Sequence, residues 1–228
     1  METSLDVLRL GAGLPERVAA RIQMLLAAAP NPQAAARLLE RLRQDSPSAF
    51  ERIASSPAAL RCAVNLFSYS QFLSETVLQN PERILRVANS GSFYRVLSAE
   101  EYAQRLAEFL GKDPAGVPAA VDLARFRRQQ LLRIVLRDVM GVAALSDVTA
   151  ELSNLADAIL DVTYGRIRAE LVGRHGEPRL ADGTPCGFSV ISLGKLGGQE
   201  LNYSSDIDLM FVYGGSGETD GELRLSNK

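Results

Sequence analysis

The sequence predicts a mainly α-helical protein with a small α/β part at its C-terminal end. Apolar residues recur with helical spacing from about Pro15 to Val172, and glycine, proline and polar residues then concentrate in Gly173–Gly187. Two short apolar runs rich in β-forming residues follow, "FSVISL" and "IDLMFVY". We therefore expect a helical region at 1–172, a linker at 173–187 and the beginning of an α/β domain at 188–228.

Short helices are predicted in the first third of the chain. The segment "PERVAARIQMLLAAAP" places a stripe of apolar residues on one side, and the sequence "PNP" ends it; the stripe consists of Val18, Ile22, Leu25 and Leu26. The next segments carry proline at a first-turn position, where the missing N–H removes no hydrogen bond. We therefore expect short helices that follow one another closely.

Three longer helices are predicted in the middle of the chain. Ser98 stands three residues before Glu101, which is the spacing of a capping box. After a linker at Gly111–Pro118, two long helical segments follow at Ala119–Gly141 and Leu145–Gly173. Ser146 is expected to cap the second of these.

The first long segment carries several arginines opposite an apolar stripe. The arginines are Arg125, Arg127, Arg128, Arg133 and Arg137, and the stripe consists of Leu131, Leu132, Val135 and Val139. A phosphate-binding or partner-binding surface is one interpretation of this pattern. We expect a solvated face with salt bridges instead, because charged residues ordinarily occupy the outer side of an amphipathic helix.

Composition excludes several classes of protein. A formal charge of −2 over 228 residues gives no basic surplus for general nucleic-acid binding, and no stretch approaches the ~20 apolar residues that span a bilayer. The first 30 residues lack the apolar run of a secretory signal, which favours the cytoplasm. Cys62 and Cys186 fit neither a disulfide framework nor a zinc site, and His175, the only histidine, is expected at the surface.

The C-terminal motif "GKLGGQELNYSSDIDLMFVY" spans Gly194 to Tyr213 and contains two aspartates two residues apart. In a strand, Asp206 and Asp208 would point to the same face, roughly 6 to 7 Å apart. Two such carboxylates suit Mg²⁺, which completes its coordination with water and phosphate oxygens. With two metal ions, the same carboxylates would support a phosphoryl-type displacement.

The glycines before these aspartates predict a phosphate-binding turn. Gly194, Gly197 and Gly198 permit close backbone approach, and "QELN" is expected to begin a helix whose free N–H groups face an anion. Lys195 either contacts the phosphates or is solvated, and Ser204 and Ser205 either donate to phosphate oxygens or shape the turn. The tail "GGSGETDGELRLSNK" is expected to be flexible.

A glycine turn between two strands, with D-x-D on the second, resembles the nucleotidyltransferase superfamily, whose fold is the polymerase-β-like sheet. The wording of the motif resembles one of its families, the bifunctional glutamine synthetase adenylyltransferase/adenylyl-removing enzymes. Three upstream segments resemble the helices of that family: "FLSETVLQNPERI", "RFRRQQLLRIVLRDVMG" and "ELSNLADAIL". The resemblance covers roughly Ala59 to Tyr213, and "ELNYSSDID" is closer to the wording of the adenylyl-removing half.

The resemblance implies a function and a set of site residues. Asp206 and Asp208 would hold Mg²⁺, while the phosphate or adenylyl site would be lined by Gly194, Lys195, Gly197, Gly198 and Ser205. ATP, ADP and phosphate would be the small substrates, glutamine synthetase the protein substrate, and a PII-type signalling protein a further partner. The superfamily uses a third carboxylate on a later strand, which this chain lacks, so the chain is expected to be a truncated part of the enzyme with an incomplete sheet.

Two alternatives stay open from the sequence. One is a non-catalytic helical binding module that docks on glutamine synthetase or a PII-type regulator. The other is a different nucleotidyltransferase, such as a PII uridylyltransferase, which agrees less well with the helical segments upstream. Mg²⁺-dependent nucleotide binding that requires Asp206 and Asp208 distinguishes the enzyme from the binding module.

Overall fold

A computed structural model of the chain describes residues 10–111 and 116–227. The helices are α1 Glu16–Ala27, α2 Pro32–Asp45, α3 Pro47–Ser55, α4 Pro57–Tyr69, α5 Gln71–Gln79, α6 Glu82–Ala88, α7 Ala99–Leu110, α8 Ala120–Val139, α9 Leu145–His175 and α10 Gly194–Gly197. The strands are β1 Pro178–Leu180, β2 Phe188–Ser192, β3 Leu209–Tyr213 and β4 Gly217–Thr219. The predicted class, mainly helical with small C-terminal strands, is confirmed at this level.

Contacts divide the chain into two compact units. The first contains the residues up to Arg95 together with Arg128–Ala144, and the second contains Val96–Arg127 together with the residues from Leu145 onward. Helix α8 therefore contributes its first part to the second unit and the rest to the first. The predicted boundaries at 172 and 187 stay a prediction. Residues 112–115 of the predicted linker Gly111–Pro118 lie outside the described residues.

Proline and short polar caps begin the helices of the first unit, as predicted. Helices α2, α3 and α4 each begin with proline, and the Asn31 side chain accepts a hydrogen bond of 3.1 Å from the Ala34 N–H at the start of α2. Of the stripe predicted on α1, Val18, Ile22 and Leu26 are buried. The core of this unit forms where the apolar faces of α1 to α6 meet the end of α8.

Helix α8 corrects the prediction of a solvated arginine face for two of its five arginines, while Arg125, Arg127 and Arg128 are exposed as predicted and Arg125 pairs with Asp122 at 3.2 Å. Arg133 and Arg137 are only 3% and 1% exposed, and Leu131 and Leu132 are buried as predicted. The Arg133 guanidinium donates to the carbonyl oxygens of Ser92 and Arg95. These carbonyl groups belong to the irregular segment after α6, and their hydrogen bonds compensate the guanidinium for its lost hydration. The periodicity of the helix sequence did not reveal this burial, because the acceptors lie in a different segment.

The second unit contains a buried carboxylate between α7 and α9. The predicted capping box at Ser98 is confirmed, with the Ser98 hydroxyl accepting from the Glu101 N–H and the Glu101 carboxylate accepting from the Ser98 N–H. On α9, fully buried Glu151 accepts hydrogen bonds of 3.0 Å from the Leu97 N–H and from the Tyr102 hydroxyl. These bonds tie the start of α7 to α9.

The predicted cap of α9 is wrong, and the helix ends two residues beyond the predicted Gly173. The helix begins at Leu145, so Ser146 lies inside it and does not cap it. It continues to His175, which lies within the predicted linker, and β1 forms in the same segment. His175 is half-buried there, and its Nδ1 lies 2.7 Å from the Leu223 carbonyl oxygen.

The C-terminal tail is ordered rather than flexible, contrary to the prediction. Strand β4 pairs with β1 in antiparallel register, with Arg179 opposite Glu218. A Cβ on Gly217 would lie 1.9 Å from the Arg179 carbonyl oxygen, so glycine permits the strands to approach this closely. Composition suggested disorder because glycine and polar residues dominate the tail, but here the glycines allow backbone pairing.

Strands β2 and β3 form the second small sheet, also antiparallel. These sheets fit the expectation of an incomplete α/β part, and the nucleotidyltransferase fold itself stays a prediction.

In the described part of the chain, Cys62 and Cys186 form no disulfide, and burial raises the pKa of the Cys62 thiol to about 11. No helix among the described residues is long and apolar enough to cross a membrane.

Candidate functional site

Strand β2, the glycine turn and strand β3 follow one another in the predicted order, and the two strands pair as an antiparallel ladder. Ser192 at the end of β2 pairs with Leu209 at the start of β3. The pairing continues one step further, because the Leu193 N–H donates to the Asp208 carbonyl oxygen at 2.9 Å. The glycine turn follows Leu193, so the ladder places it beside the aspartate segment.

Asp206 and Asp208 lie in the extended segment before β3 rather than in the strand. The predicted strand from Ile207 is therefore too long, since β3 begins at Leu209. Both carboxylates are exposed to solvent, where a charged group keeps its hydration. The Asp208 Oδ2 atom lies 3.4 Å from the position that a Cβ on Gly194 would occupy. The structure thus brings the Asp208 carboxylate against the first glycine of the turn.

The turn itself is one short helical segment, α10. The predicted helix from "QELN" is wrong, because Gln199 has a left-handed φ of +57° and the Glu200 N–H bonds back to the Lys195 carbonyl oxygen at 2.7 Å. The last N–H groups of the turn are used internally, with the Gly198 N–H donating to the Gly194 carbonyl oxygen at 3.0 Å. A left-handed residue ends a helix in this way.

Two of the three predicted glycines are required by the backbone. Gly194 has φ +55°, and a Cβ on Gly197 would lie 2.5 Å from the Ser192 carbonyl oxygen. Gly198 differs, because the nearest atom to its Cβ position is 3.6 Å away, an ordinary contact. Close backbone packing therefore depends on Gly197 and not on Gly198.

The remaining predicted site residues have distinct surroundings. Lys195 is exposed on α10. The Ser205 hydroxyl donates to the Asn202 side-chain oxygen at 2.9 Å and accepts from the Asn202 N–H at 3.1 Å. The Ser204 N–H donates to the same Asn202 oxygen at 3.0 Å. In this state the serines shape the turn before Asp206, which is one of the two roles expected for them.

The glycine turn is anchored on helix α9, a feature that the sequence analysis missed. The Ser153 hydroxyl accepts from the Leu201 N–H at 3.3 Å, and the Asp157 carboxylate accepts from the Gln199 side-chain amide at 3.0 Å. Leu196 and Leu201 in the same segment are buried. Ser153 and Asp157 are four residues apart, so they lie on one face of the helix. That polar pair within "ELSNLADAIL" was the available signal.

Replacing Gln199 with alanine is expected to loosen the turn. Alanine loses the bond to Asp157, which costs about 0.5–1.5 kcal/mol of local stability, while the left-handed backbone is as strained as it is with glutamine. Hydrogen–deuterium exchange of residues 194–205 should then be about 2–12 times faster than in the unmodified chain. Gln199→Gly is the matched control, because it loses the same bond but relieves the strain, and it should exchange more slowly than Gln199→Ala. Equal exchange in the unmodified chain and Gln199→Ala would contradict the anchoring role.

A cavity of about 1020 Å³ is lined by residues of α9 and of the β2–β3 ladder. Its lining is mostly apolar and includes Tyr164, Ile167, Phe188, Val190 and Phe211. The rings of Tyr164 and Phe188 stack with their centroids 5.5 Å apart. Leu209 and Phe211 of β3 line this cavity, as does Asp157, whereas Asp206 and Asp208 are not among its lining residues.

The donor set of the aspartate segment fits Mg²⁺, which commonly binds one or two protein carboxylates and retains water. Among the described residues, no three His, Cys, Asp or Glu side chains cluster as a metal site. Among the acidic residues of the C-terminal tail, Asp220 accepts from the Arg179 guanidinium at 2.8 Å and from the Glu177 N–H at 2.7 Å. The hydrogen bond from Arg179 holds the pKa of Asp220 below its usual value. Asp220 is thus engaged in the β1–β4 sheet.

Comparison with known proteins identifies the family. The family model of glutamate-ammonia ligase adenylyltransferase matches residues 60–228. Bifunctional glutamine synthetase adenylyltransferase/adenylyl-removing enzymes are similar over much of this chain. That of Thioalkalivibrio sulfidiphilus is 37% identical over 72% of this chain and 17% of its own length, and that of Nitrosococcus oceani is 37% identical over 69% and 16%. That of Idiomarina loihiensis is 34% identical over 82% of this chain and 21% of its own length.

The matched region contains both the helical segments and the C-terminal motif on which the predicted resemblance rested. The chain spans only about a sixth to a fifth of the length of these relatives. The predicted family is confirmed: the chain belongs to the glutamate-ammonia ligase adenylyltransferase family.

Proposed function

We propose that this chain is part of an enzyme that removes adenylyl groups from glutamine synthetase, and that its glycine turn and aspartate segment form the nucleotide side of that site. The observation that carries the proposal is the approach of the Asp208 carboxylate to Gly194, 3.4 Å from its Cβ position. This approach lets one ligand contact the glycine backbone and the acidic segment together. The family assignment supports the same role.

The reaction in this proposal is phosphorolysis. An oxygen of inorganic phosphate forms a bond to the phosphorus of adenylylated tyrosine, the bond from that phosphorus to the tyrosine oxygen breaks, and the products are ADP and a tyrosine that regains its proton. Bound Mg²⁺ would neutralise charge on the phosphate oxygens. Asp206 and Asp208 would hold that ion, and their exposure leaves room for the phosphates beside it.

The other predicted residues take supporting roles in this proposal. Gly194 and Gly197 let the substrate approach the backbone closely, Gly198 follows them in the turn with room for a Cβ, and Lys195 contributes a positive charge from the exposed side of α10. Ser205 holds the loop that presents Asp206, through its bonds with Asn202. The names of the relatives support glutamine synthetase as the protein substrate. We further propose ATP or ADP as the nucleotide, a PII-type protein as an additional partner, and the cytoplasm as the location.

Removal of the metal tests the proposal. ADP should bind this chain in the presence of Mg²⁺, and an excess of EDTA should weaken that binding at least about 100-fold, because the phosphates and the carboxylates would then repel each other. Isothermal titration calorimetry with and without EDTA measures the difference. ADP binding of equal strength in both conditions, or no binding in either, would contradict the proposed site. The family match favours this function over that of a PII uridylyltransferase.

A further inference from the structure

Arginines of two neighbouring helices lie close to an exposed phenylalanine on the first unit. Arg83 and Arg86 lie one turn apart on α6, Arg128 lies on α8, and Phe72 lies on α5. The guanidinium carbon of Arg128 lies 4.8 Å from the centroid of the Phe72 ring. The Arg83 guanidinium donates to the Thr76 carbonyl oxygen at 3.4 Å, one helical turn along from Phe72. Two helices, α6 and α8, thus direct positive charge to one side of α5.

No carboxylate of the described residues neutralises this group. The nearby acids are used elsewhere, because Glu75 pairs with Arg41 at 2.7 Å and Glu82 pairs with Arg52. Burial lowers the pKa of Arg83, and the charges of Arg86 and Arg128 lower it further. The guanidinium groups are therefore close enough to repel one another, and a bound anion would relieve that repulsion.

The surface also has an apolar component. The Phe72 side chain is 58% exposed, and its ring is already in contact with a cation. Arg86 and Arg128 are exposed as well, so a ligand can reach the ring and both guanidinium groups. Aromatic and arginine side chains are the residues that most often anchor protein–protein contacts.

We infer that the surface formed by Phe72, Arg83, Arg86 and Arg128 binds an acidic segment of a partner protein. Carboxylates of the partner compensate the arginine charges, and an apolar side chain between them packs on the Phe72 ring. The chain as a whole is acidic, with a net charge of −2 and a pI of about 5.6, which disfavours a nucleic acid as the ligand. This inference does not depend on the proposed adenylyl-removing function.

The test uses this chain and a fluorescein-labelled peptide of alternating glutamate and leucine. Fluorescence anisotropy at low salt should show binding, and the affinity should fall as salt is added. Arg86→Gln combined with Arg128→Gln is expected to weaken binding about five- to tenfold, because each exposed charge pair contributes modestly. Phe72→Ala alone should weaken it by a similar factor. The matched control removes two exposed arginines of the same unit, Arg17→Gln with Arg61→Gln, and should bind as the unmodified chain does.

Several outcomes would overturn the inference. Absence of peptide binding would overturn it. An equal loss of peptide affinity in the Arg17→Gln, Arg61→Gln control would also overturn it, because the affinity would then depend only on the net charge of the chain. A peptide in which glutamine replaces glutamate should not bind, and its binding would also contradict the inference. Tighter binding of a single-stranded oligonucleotide than of the acidic peptide would assign the surface to nucleic acid instead. Circular dichroism of the variants should be unchanged, since the replaced arginines are exposed.

Discussion

Replacing Asp206 and Asp208 together with asparagine is expected to lower the affinity of the chain for ADP in the presence of Mg²⁺ at least about 100-fold. Asparagine keeps the shape of each side chain but removes the charge that a hard cation requires, and loss of both carboxylates leaves no acidic ligand in the site. Calorimetric titration with ADP at constant Mg²⁺ measures the effect. Each single replacement should give an intermediate loss.

A matched control separates the site from general charge. Glu51→Gln combined with Glu222→Gln removes two exposed carboxylates outside the aspartate segment and should leave ADP affinity within about twofold. The folded state of the aspartate variant should also be intact, because both carboxylates are exposed. Retention of full Mg²⁺-dependent affinity in the aspartate variant would exclude these residues as metal ligands. The chain would then fit the alternative of a binding module.

Gly197→Ala is expected to disrupt the glycine turn and to weaken ADP binding at least about tenfold. The added Cβ would lie 2.5 Å from the Ser192 carbonyl oxygen, and that oxygen belongs to the backbone at the end of β2, so the turn or the strand end must move. Displacement of backbone by a few tenths of an ångström or more misplaces groups that bind phosphate, which accounts for the expected loss. Titration with ADP and Mg²⁺ measures it.

Gly198→Ala provides the control for this prediction on the next residue. Its Cβ would meet nothing nearer than 3.6 Å, and its φ of −86° suits alanine. Its ADP affinity should therefore stay within about twofold of the unmodified chain. If Gly198→Ala impaired binding as much as Gly197→Ala, steric contact with Ser192 would not be the reason why glycine is needed.

Local signals in the sequence predicted the helices well. Proline at the first position and the capping box at Ser98 each act within four residues, so their effect can be predicted without knowing the packing. Ser146 was a weaker cap signal, and α9 begins one residue before it. Helix ends are set by small differences in free energy, which explains why the elements were predicted better than their boundaries.

Features that depend on distant segments could not be predicted. Arg133 is buried because it finds carbonyl oxygens at Ser92 and Arg95, about forty residues earlier in the chain. The tail is ordered because β4 pairs with β1, and neither strand is recognisable from three residues alone. In the candidate site, the glycines were identified from composition, whereas the anchoring of Gln199 by Asp157 required the fold.

Within two turns, helix α9 accepts hydrogen bonds from two different segments of the chain. Glu151 receives hydrogen bonds from the start of α7, while Ser153 and Asp157 receive hydrogen bonds from the segment after the glycine turn. Rolling α9 about its own axis would strain both sets of bonds at once. One helix thus carries the hydrogen bonds that hold the start of α7 and those that hold Gln199 and Leu201.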